Sequence, residues 1–287
     1  MSTWRLLDRT LTFPPPAGAG IVNVTDDSFF SGARSGTPER AVEDGLALVA
    51  AGFELLDVGA VAARSGPPVP AAEEAAKLVP AVERLAAEAG VPVLADTFSV
   101  EVAAAVLDAG AAGINDISGG ADPGMFELVA ARGCGYVLMH IEGPPRVDRA
   151  APAYDDVLAH LARWFGERIE MALARGVDPQ QIAIDPGLDF DLTTDDGIEL
   201  LRRLDELRHV GRPVFMALSR KDFLGAVSAG SWEERRPAEE RGPATLAATA
   251  LAAAQGVEIF RLHDREALDA MRVAAAIADP AAVPADV

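Results

Sequence analysis

The chain is poor in cysteine and in aromatic residues, and it has far fewer basic than acidic residues. Its single cysteine, Cys134, cannot form a disulfide within the chain, which is typical of proteins from the reducing cytoplasm. Because Cys134 lies between Gly133 and Gly135, just before an apolar segment, we interpret it as a small packing residue and not as a nucleophile. We therefore predict a cytoplasmic protein whose chemistry does not depend on a thiol.

The excess of acidic residues restricts the classes of partner. The sequence has 25 Lys and Arg residues against 44 Asp and Glu residues, a formal net charge of −19. Such a surface repels nucleic acids and anionic lipids unless one face is locally basic, and no run of Lys and Arg is long enough to form that face. No apolar run reaches the roughly 18 residues of a membrane-spanning helix. These absences favour small-molecule substrates over nucleic-acid or membrane partners.

Half of the residues are apolar, and many of them recur in eight short segments bounded by Gly, Pro or charged residues. Short apolar segments of this kind are typical of buried parallel strands. The predicted strands are residues 20–24, 54–59, 91–96, 113–116, 135–140, 182–185, 214–218 and 258–263.

Longer segments with helical periodicity alternate with these strands, and a glycine directly follows five of them, as expected at a helix C-terminus. The predicted helices are residues 37–51, 71–89, 100–109, 123–132, 154–175, 194–207, 240–254 and 265–278. Eight β-then-α units predict an α/β fold, a (β/α)8 TIM barrel, as one domain over residues 1–287 with its core at about 18–278. A doubly wound open sheet is the alternative, but no Gly-x-Gly-x-x-Gly turn follows the first strand.

Polar residues stand at the C-terminal ends of the predicted strands, where the loops of a TIM barrel form the functional site. Carboxylate, amide and ammonium groups suit a flat heterocycle that carries amide and amino groups, whereas cationic and neutral donors suit a diphosphate. The predicted heterocycle set is Asp96, Asn115, Asp185 and Lys221, and the predicted diphosphate set is Asn23, Arg64, Arg261 and His263.

We interpret three other polar residues as structural. Asp57 is read as a strand-end carboxylate and ranks below the residues of the two sets. His140 could brace the barrel from the end of its strand. His160 lies in a helical segment and needs no special role.

Seven blocks of the sequence resemble, in order, the motifs of the dihydropteroate synthase family. They are Asn23-Val-Thr-Asp-Asp-Ser-Phe29, Asp96-Thr97, Asn115-Asp-Ile-Ser-Gly119, Met139-His140, Asp185-Pro-Gly187, Ser219-Arg-Lys221 and Arg261-Leu-His263. The resemblance covers about residues 18–278. Pterin-binding methyltransferase domains share several of these blocks, so the resemblance indicates a pterin more strongly than it indicates one reaction.

The resemblance implies a transferase of folate biosynthesis. In that reaction p-aminobenzoate displaces diphosphate from 6-hydroxymethyl-7,8-dihydropterin diphosphate, and no side-chain nucleophile is needed because the electron-rich pterin stabilises a cation-like carbon. The enzyme positions the substrates and stabilises the leaving diphosphate, usually with Mg²⁺. A homodimer is the oligomeric state that the resemblance suggests.

By the same resemblance, each predicted residue has a role. Asp96, Asn115, Asp185 and Lys221 would hold the pterin, with Met139 and Phe190 packed on its ring; Asn23, Arg64, Arg261 and His263 would hold the diphosphate, with Asn23 as the metal ligand; Lys221, Arg261 and His263 would be the catalytic residues.

The sequence departs from the family pattern in the predicted second-substrate region, which comprises Ala62, Ala63, Ser65 and Asp222. After the second strand, the family's Gly-Gly-Glu-Ser-Thr-Arg-Pro-Gly is Gly59-Ala-Val-Ala-Ala-Arg-Ser-Gly66, without the carboxylate or the two hydroxyls. Asp222 replaces a serine at a helix start that receives the p-aminobenzoate carboxylate. We expect Asp222 to occupy those N–H donors itself and to repel a second carboxylate by roughly 4 kcal/mol at about 4 Å and an effective dielectric near 20.

Two more departures lie in loops. Asp185-Pro-Gly-Leu-Asp-Phe-Asp-Leu192 replaces the family's Asp-Pro-Gly-x-Gly-Phe-Gly-Lys, and Asp26 replaces a proline. The predicted pterin residues are all retained. The pattern leaves open a pterin-binding paralogue with an altered or absent arylamine acceptor. A pterin-dependent methyltransferase module is a further alternative, but it would need a corrinoid partner domain, for which this chain has no room.

Overall fold

The structure is a computed structural model that describes residues 1–24, 35–63, 66–147 and 149–283. The strands of this part of the chain are β1 (Ser2–Leu6), β2 (Arg9–Phe13), β3 (Ala17–Asn23), β4 (Leu55–Gly59), β5 (Val93–Asp96), β6 (Gly113–Asp116), β7 (Gly135–Met139), β8 (Ile182–Asp185), β9 (Phe215–Met216) and β10 (Ile259–Leu262). The helices are α1 (Pro38–Ala50), α2 (Ala71–Glu88), α3 (Val100–Asp108), α4 (Pro123–Arg132), α5 (Val157–Leu173), α6 (Thr194–Arg202), α7 (Leu204–Arg208), α8 (Asp222–Ala229), α9 (Gly242–Ala254) and α10 (Arg265–Ala278).

Strands β3 to β10 form one parallel sheet in the order β8-β7-β6-β5-β4-β3-β10-β9. A parallel bridge between Ile184 and Val214 joins the two ends of this order, so the sheet closes on itself. The helices surround it, and the predicted (β/α)8 TIM barrel is confirmed. All eight predicted strands are present, with ends that differ by a few residues.

Local sequence explains where several helices begin. The Thr37 hydroxyl accepts a hydrogen bond from the Arg40 N–H, and Pro38 stands at the first helical position of α1. Side chains of Ser99, Asp122 and Asp264 cap α3, α4 and α10 in the same way. Each cap follows a strand, so the helix starts lie at the same end of the barrel as the strand ends that carry the site.

The predicted helix over residues 194–207 is wrong as a single element. Arg203 has φ −126° and ψ 34°, which interrupts the helix and separates α6 from α7. The Arg203 guanidinium binds Asp156 at the start of α5 and Glu206 of α7, at distances of 3.1 and 2.6 Å. No helix in the part of the chain that the structure describes is long and apolar enough to cross a membrane.

An antiparallel hairpin of β1 and β2 lies outside the predicted elements and closes the N-terminal end of the barrel. Trp4 and Leu6 are fully buried and pack with the inward side chains of the strands, among them Phe215 and Ile259. The Trp4 Nε1–H donates to the Gln181 carbonyl over 2.8 Å. The N-terminal half of the barrel interior is therefore filled with apolar side chains, and the polar residues lie at the C-terminal mouth.

Candidate functional site

The C-terminal ends of the parallel strands bring the predicted polar residues together. Asn23, Gly59, Asp96 and Asn115 are register partners on four neighbouring strands, β3 to β6, so they lie at one level of the barrel. Neighbouring residues in register on parallel strands point to the same face. These side chains therefore share the inner face of the mouth.

Asp57 is the centre of the polar network in the mouth. It is fully buried, and its carboxylate accepts a hydrogen bond from Arg261 Nε. The Asp96 carboxylate accepts a second hydrogen bond, from Arg261 Nη2, over 3.0 Å. The Asn115 side-chain amide donates to Asp57 Oδ2 over 3.1 Å. The sequence ranked Asp57 below the two predicted sets as a structural carboxylate, and its contacts show such a role, because a fully buried carboxylate needs the partners that the neighbouring strands supply.

Two acceptors of this network stay without a partner. Asp57 Oδ1 and Asn115 Oδ1 are buried and accept no hydrogen bond from any residue that the structure describes. A buried acceptor that is left unpaired costs about 1–3 kcal/mol. The polar network of the mouth thus contains two buried acceptors that none of the described residues satisfies.

Lys221 connects the β9 loop to the loop that follows β8. Its ammonium group donates to the Leu188 carbonyl over 2.8 Å and lies 5.0 Å from the centre of the Phe190 ring. Asp185, at the end of β8, accepts from the Gly187 N–H over 2.8 Å. Asp185 and Lys221 therefore border the same side of the mouth, as predicted from the sequence.

A small apolar cluster forms the adjacent wall. Its buried members are Ile117, Met139 and Ile141, with Ala63, Phe98 and Phe190 packed against them. This cluster is separate from the two larger cores of the barrel. Met139 and Phe190, predicted to contact a ring, are thus in one apolar surface beside the polar network.

Burial and charge set the protonation states in the mouth. Burial raises the pKa of Asp185 to about 6, although the Lys221 ammonium opposes the change. Burial also raises the pKa of Asp96, against the effect of the Arg261 guanidinium. Burial, together with Arg261 and two other cations, Arg220 and Lys221, lowers the pKa of His263 to about 3.

His263 is therefore neutral near pH 7. Its Nδ1 lies 2.7 Å from the Ser219 hydroxyl, across from β9. Its imidazole is therefore neutral, and the positive charges that act on it are those of Arg261, Arg220 and Lys221.

Part of the predicted site lies outside the described residues. Arg64 and Ser65 are among these, as is most of the motif that begins at Asn23, from residue 25 onward. Asn23 itself ends β3 and is partly exposed. In the second-substrate region, the Ala62 carbonyl accepts a hydrogen bond from Arg146 over 2.6 Å.

Arg146 is a cation that the sequence prediction missed. It belongs to the loop after β7 and reaches across to the loop after β4, where it also binds the Pro67 carbonyl over 2.7 Å. Its signal in the sequence is weak, because an arginine in a Pro-rich loop is usually solvated. Only the barrel brings the two loops together.

The N-terminus of α8 is occupied by a carboxylate, but not by the predicted one. Asp189, which stands where the family has glycine, binds the backbone N–H of Asp222 and, over 3.0 Å, that of Phe223. Asp189 is buried and has a left-handed backbone with φ 67°. The expectation that Asp222 occupies these donors is wrong.

The Asp222 carboxylate instead points to two arginines. It lies 2.7 Å from Arg241 Nη1 and 3.3 Å from Arg235 Nε. Asp222 and Arg241 are both buried, with side-chain exposures of 7% and 4%. Asp222 thus anchors α8 to the segment before α9, and its charge is balanced by arginine.

Comparisons with known proteins agree with this geometry. Residues 19–263 match the family model described as pterin binding enzyme. The dihydropteroate synthase of Mycobacterium leprae is 41% identical over 278 residues, covering 93% of this chain and 95% of that protein. A second M. leprae protein, called inactive dihydropteroate synthase 2, is 40% identical over 250 residues, with 85% and 84% covered.

Among solved structures, the dihydropteroate synthase of Xanthomonas albilineans with 4-aminobenzoic acid has a TM-score of 0.86. It is 39% identical, and the match covers 98% of this chain and 99% of the other. The family match spans the strand ends that form the mouth. The chain belongs to the pterin-binding enzyme family.

Proposed function

We propose that the protein is a dihydropteroate synthase-type transferase that binds 6-hydroxymethyl-7,8-dihydropterin diphosphate and joins its pterin to an arylamine, with release of diphosphate. The observation that carries this proposal is the pair of buried acceptors, Asp57 Oδ1 and Asn115 Oδ1, beside the apolar wall of Met139 and Phe190. A flat heterocycle with N–H groups on its edge satisfies both surfaces at once.

The surrounding groups complement the rest of a pterin. The Asp185 carboxylate accepts from ring N–H groups, and Lys221 donates to a ring carbonyl. Asp96 is held by Arg261, so it also faces the ligand in a fixed orientation. Each polar partner lost from this set leaves a buried donor or acceptor unpaired, at about 1–3 kcal/mol.

The reaction requires positioning and charge stabilisation. The bond between the pterin methylene carbon and the diphosphate oxygen breaks, and its electron pair leaves with the diphosphate. The arylamine nitrogen forms the new C–N bond and loses a proton. Lys221, Arg261 and the neutral His263 surround the charge that develops on the leaving group. Arg261 shares its charge with Asp57 and Asp96, so it also positions these carboxylates.

The mouth also suits Mg²⁺ at Asn23. This ion prefers oxygen ligands, keeps several waters and is usually bound together with substrate phosphates. Asn23 offers an amide oxygen at the level of Asp96 and would hold the ion on the diphosphate side. When bound, Mg²⁺ neutralises charge on the diphosphate.

A cytoplasmic location, predicted from the single cysteine, stays a prediction.

One observation favours a second candidate, a pterin-binding paralogue with an altered acceptor. The N–H donors at the start of α8 are held by Asp189, and Ala62 and Ala63 offer no hydroxyl. An arylamine with a carboxylate would have to displace Asp189. An acceptor without an acidic group avoids that competition.

Two measurements test the proposal. Calorimetry with a reduced pterin analogue compares the wild type with Asn115→Ala, and Asp279→Asn, at an exposed helix cap remote from the mouth, serves as control. We expect Asn115→Ala to weaken binding about tenfold or more and the control to bind like the wild type. Unchanged affinity in a folded Asn115→Ala protein would refute the pterin site.

Diphosphate release from the pterin diphosphate, with and without p-aminobenzoate, tests the reaction. Release that depends on p-aminobenzoate supports the synthase. Pterin binding without such release supports the paralogue with another acceptor.

A further inference from the structure

A cluster of two histidines and a glutamate lies behind β7, outside the pterin mouth. His140 directly follows β7, Glu142 comes two residues later, and His160 stands in the first turn of α5. His140 is fully buried against Trp164, with the ring centres 5.0 Å apart, whereas the preceding Met139 belongs to the apolar wall of the mouth. The proposed transferase reaction uses none of the three cluster residues.

The donor atoms of the cluster converge on one point. His140 Nε2 lies 3.0 Å from Glu142 Oε1, and His160 Nε2 lies 2.5 Å from the same oxygen. One donor atom from each of the three residues lies within 4.8 Å of the others. In a tetrahedral site with metal–ligand distances of about 2.0–2.1 Å, ligand atoms are about 3.3 Å apart. Small side-chain movements therefore bring all three within bonding distance of one ion.

We propose that His140, Glu142 and His160 bind a divalent transition metal ion, with Zn²⁺ as the ion that fits the ligand set. Two imidazoles and one carboxylate form a zinc ligand set, and the fourth position takes water. Hard ions such as Mg²⁺ prefer oxygen ligands and match this set less well. The site is independent of the Mg²⁺ proposed for the diphosphate side.

Metal binding requires a change of tautomer that the surroundings allow. Arg163 Nη2 lies 3.1 Å from His160 Nδ1 and donates to it, so the His160 proton is on Nε2 and points to Glu142. When Nε2 binds the ion, the proton moves to Nδ1 by exchange with solvent, and Arg163, which is exposed, turns away. His140 Nδ1 is buried and has no hydrogen-bond partner among the described residues, so the same change breaks no bond there but leaves a buried N–H unpaired, at a cost of about 1–3 kcal/mol that metal binding must exceed.

The ion would join three parts of the chain near the mouth. The Glu142 N–H donates to Asp191 over 2.8 Å, and Asp191 binds Arg149 through two bonds of 2.7 and 2.6 Å. The loop after β7, the loop after β8 and the start of α5 are therefore linked through Glu142. A metal at this point positions the loop that carries Arg146 over the second-substrate region.

Zinc binding to the metal-free full chain tests this inference. Calorimetry with ZnCl₂ is carried out on the wild type, His160→Gln, Glu142→Gln and Arg163→Gln. His209→Gln is the matched control, because His209 follows the short helix α7, away from the cluster. We expect one Zn²⁺ per wild-type chain, at least tenfold weaker binding in the first two variants, and unchanged binding in the control.

Arg163→Gln should bind Zn²⁺ at least as tightly as the wild type, because the competing donor to Nδ1 is removed. Glu142 and His160 are partly exposed, so these variants should fold, and thermal unfolding without metal verifies it. Equal zinc affinity in the wild type and the folded His160→Gln variant would overturn the proposal. The pterin calorimetry is a separate readout, and its failure leaves the metal site unaffected.

Discussion

Asp189 places its carboxylate on the N–H groups of Asp222 and Phe223 at the start of α8. This residue has φ 67°, a region in which glycine is unstrained and other residues are uncommon. The buried Asp189 carboxylate accepts from two backbone N–H groups of α8. It therefore places a negative charge at the positive, N-terminal end of the helix dipole. On the proposed function, we expect it to compete with an acidic group of the incoming arylamine.

We expect Asp189→Gly to lower the Michaelis constant for p-aminobenzoate by about tenfold or more, since about 1.4 kcal/mol of relieved competition gives that factor. Steady-state diphosphate release measures it. Asp189→Asn is the companion variant, because it removes the charge and keeps the shape. Efficient wild-type turnover at micromolar p-aminobenzoate, with no change in Asp189→Gly, would show that Asp189 does not control acceptor use.

Because Asp189 binds the N–H groups at the start of α8, Asp222 has a different role from the one predicted. Its carboxylate is paired with the buried Arg241, so replacement by serine would leave a buried cation without this partner. We therefore assign a structural role to Asp222 and expect Asp189, rather than Asp222, to influence acceptor binding.

Asp185 has a pKa of about 6 in the folded protein because it is buried, and an unfolded aspartate has a pKa near 3.9. The folded state thus binds more protons than the unfolded state between these values. The stability that this group contributes is present below about pH 4 and is lost as the pH rises through 6. The difference, two pKa units, corresponds to about 3 kcal/mol.

We expect Asp185→Asn to exceed the wild type in unfolding free energy by up to about 3 kcal/mol at pH 8 and to match it near pH 4. Urea denaturation at the two pH values measures this difference, in which the titrations of other groups largely cancel. An equal difference at both pH values would contradict the raised pKa. The stabilised variant should also bind the pterin analogue more weakly, because activity and stability oppose each other at such sites.

At the scale of elements, the β1–β2 hairpin closes the barrel and supports the site from below. Trp4 is fully buried, donates to the Gln181 carbonyl and lies edge-on to Phe215, with ring centres 6.5 Å apart. The Gln181 side chain in turn donates to the Val129 and Cys134 carbonyls. The hairpin is thus connected to the starts of β7 and β8.

We expect Trp4→Ala to lower the unfolding free energy by about 3–5 kcal/mol, through the lost apolar contacts and the cavity that is left. Leu11→Ala in β2 is the matched control, and because Leu11 is only partly buried its cost should be clearly smaller. Chemical denaturation measures both. A loss below about 1 kcal/mol for Trp4→Ala would show that the hairpin is not part of the cooperative fold.

The strand assignments show what local pattern predicts at this scale. Apolar segments with Gly and Pro at their borders identified the eight barrel strands, because buried parallel strands are apolar on both faces. The same criterion missed β1 and β2. In β1 only Trp4 and Leu6 are buried, and β2 is mostly exposed apart from Phe13, so the apolar pattern is weaker in Ser2–Leu6 and Arg9–Phe13 than in the barrel strands.

At the scale of the whole molecule, α10 leaves apolar side chains uncovered. Val273 and Ile277 are one helical turn apart on α10 and are 59% and 81% exposed. An apolar strip on one helix face is a suitable contact for a second copy of the chain. The homodimer suggested by the family resemblance stays a prediction, and these residues provide its test.

We expect the wild type to migrate as a dimer in light scattering coupled to size exclusion, and the double variant Val273→Asp, Ile277→Glu to be monomeric. Val147→Asp is the control, since Val147 is 53% exposed but lies in the loop after β7. A monomeric wild type, or a double variant that remains dimeric, would exclude this face as the interface.

The sequence alone determined the barrel and the end of it at which the polar residues lie, and the resemblance of its motifs to the dihydropteroate synthase family indicated the pterin as ligand class. Strand and helix periods are local properties, and a closed parallel barrel necessarily collects the C-terminal ends of all strands at one mouth. For this reason Asp96, Asn115, Asp185 and Lys221 could be grouped from their positions after strands.

Only the tertiary structure decided which of these groups pair. Arg261 meets Asp57 across 204 residues, Asp189 reaches the N-terminus of α8 across 33, and His160 meets Glu142 across 18. Such contacts depend on how the strands are staggered and how each loop folds back, which no local period encodes. Burial then shifts the pKa values of Asp185 and His263, because desolvation depends on every element that packs around them.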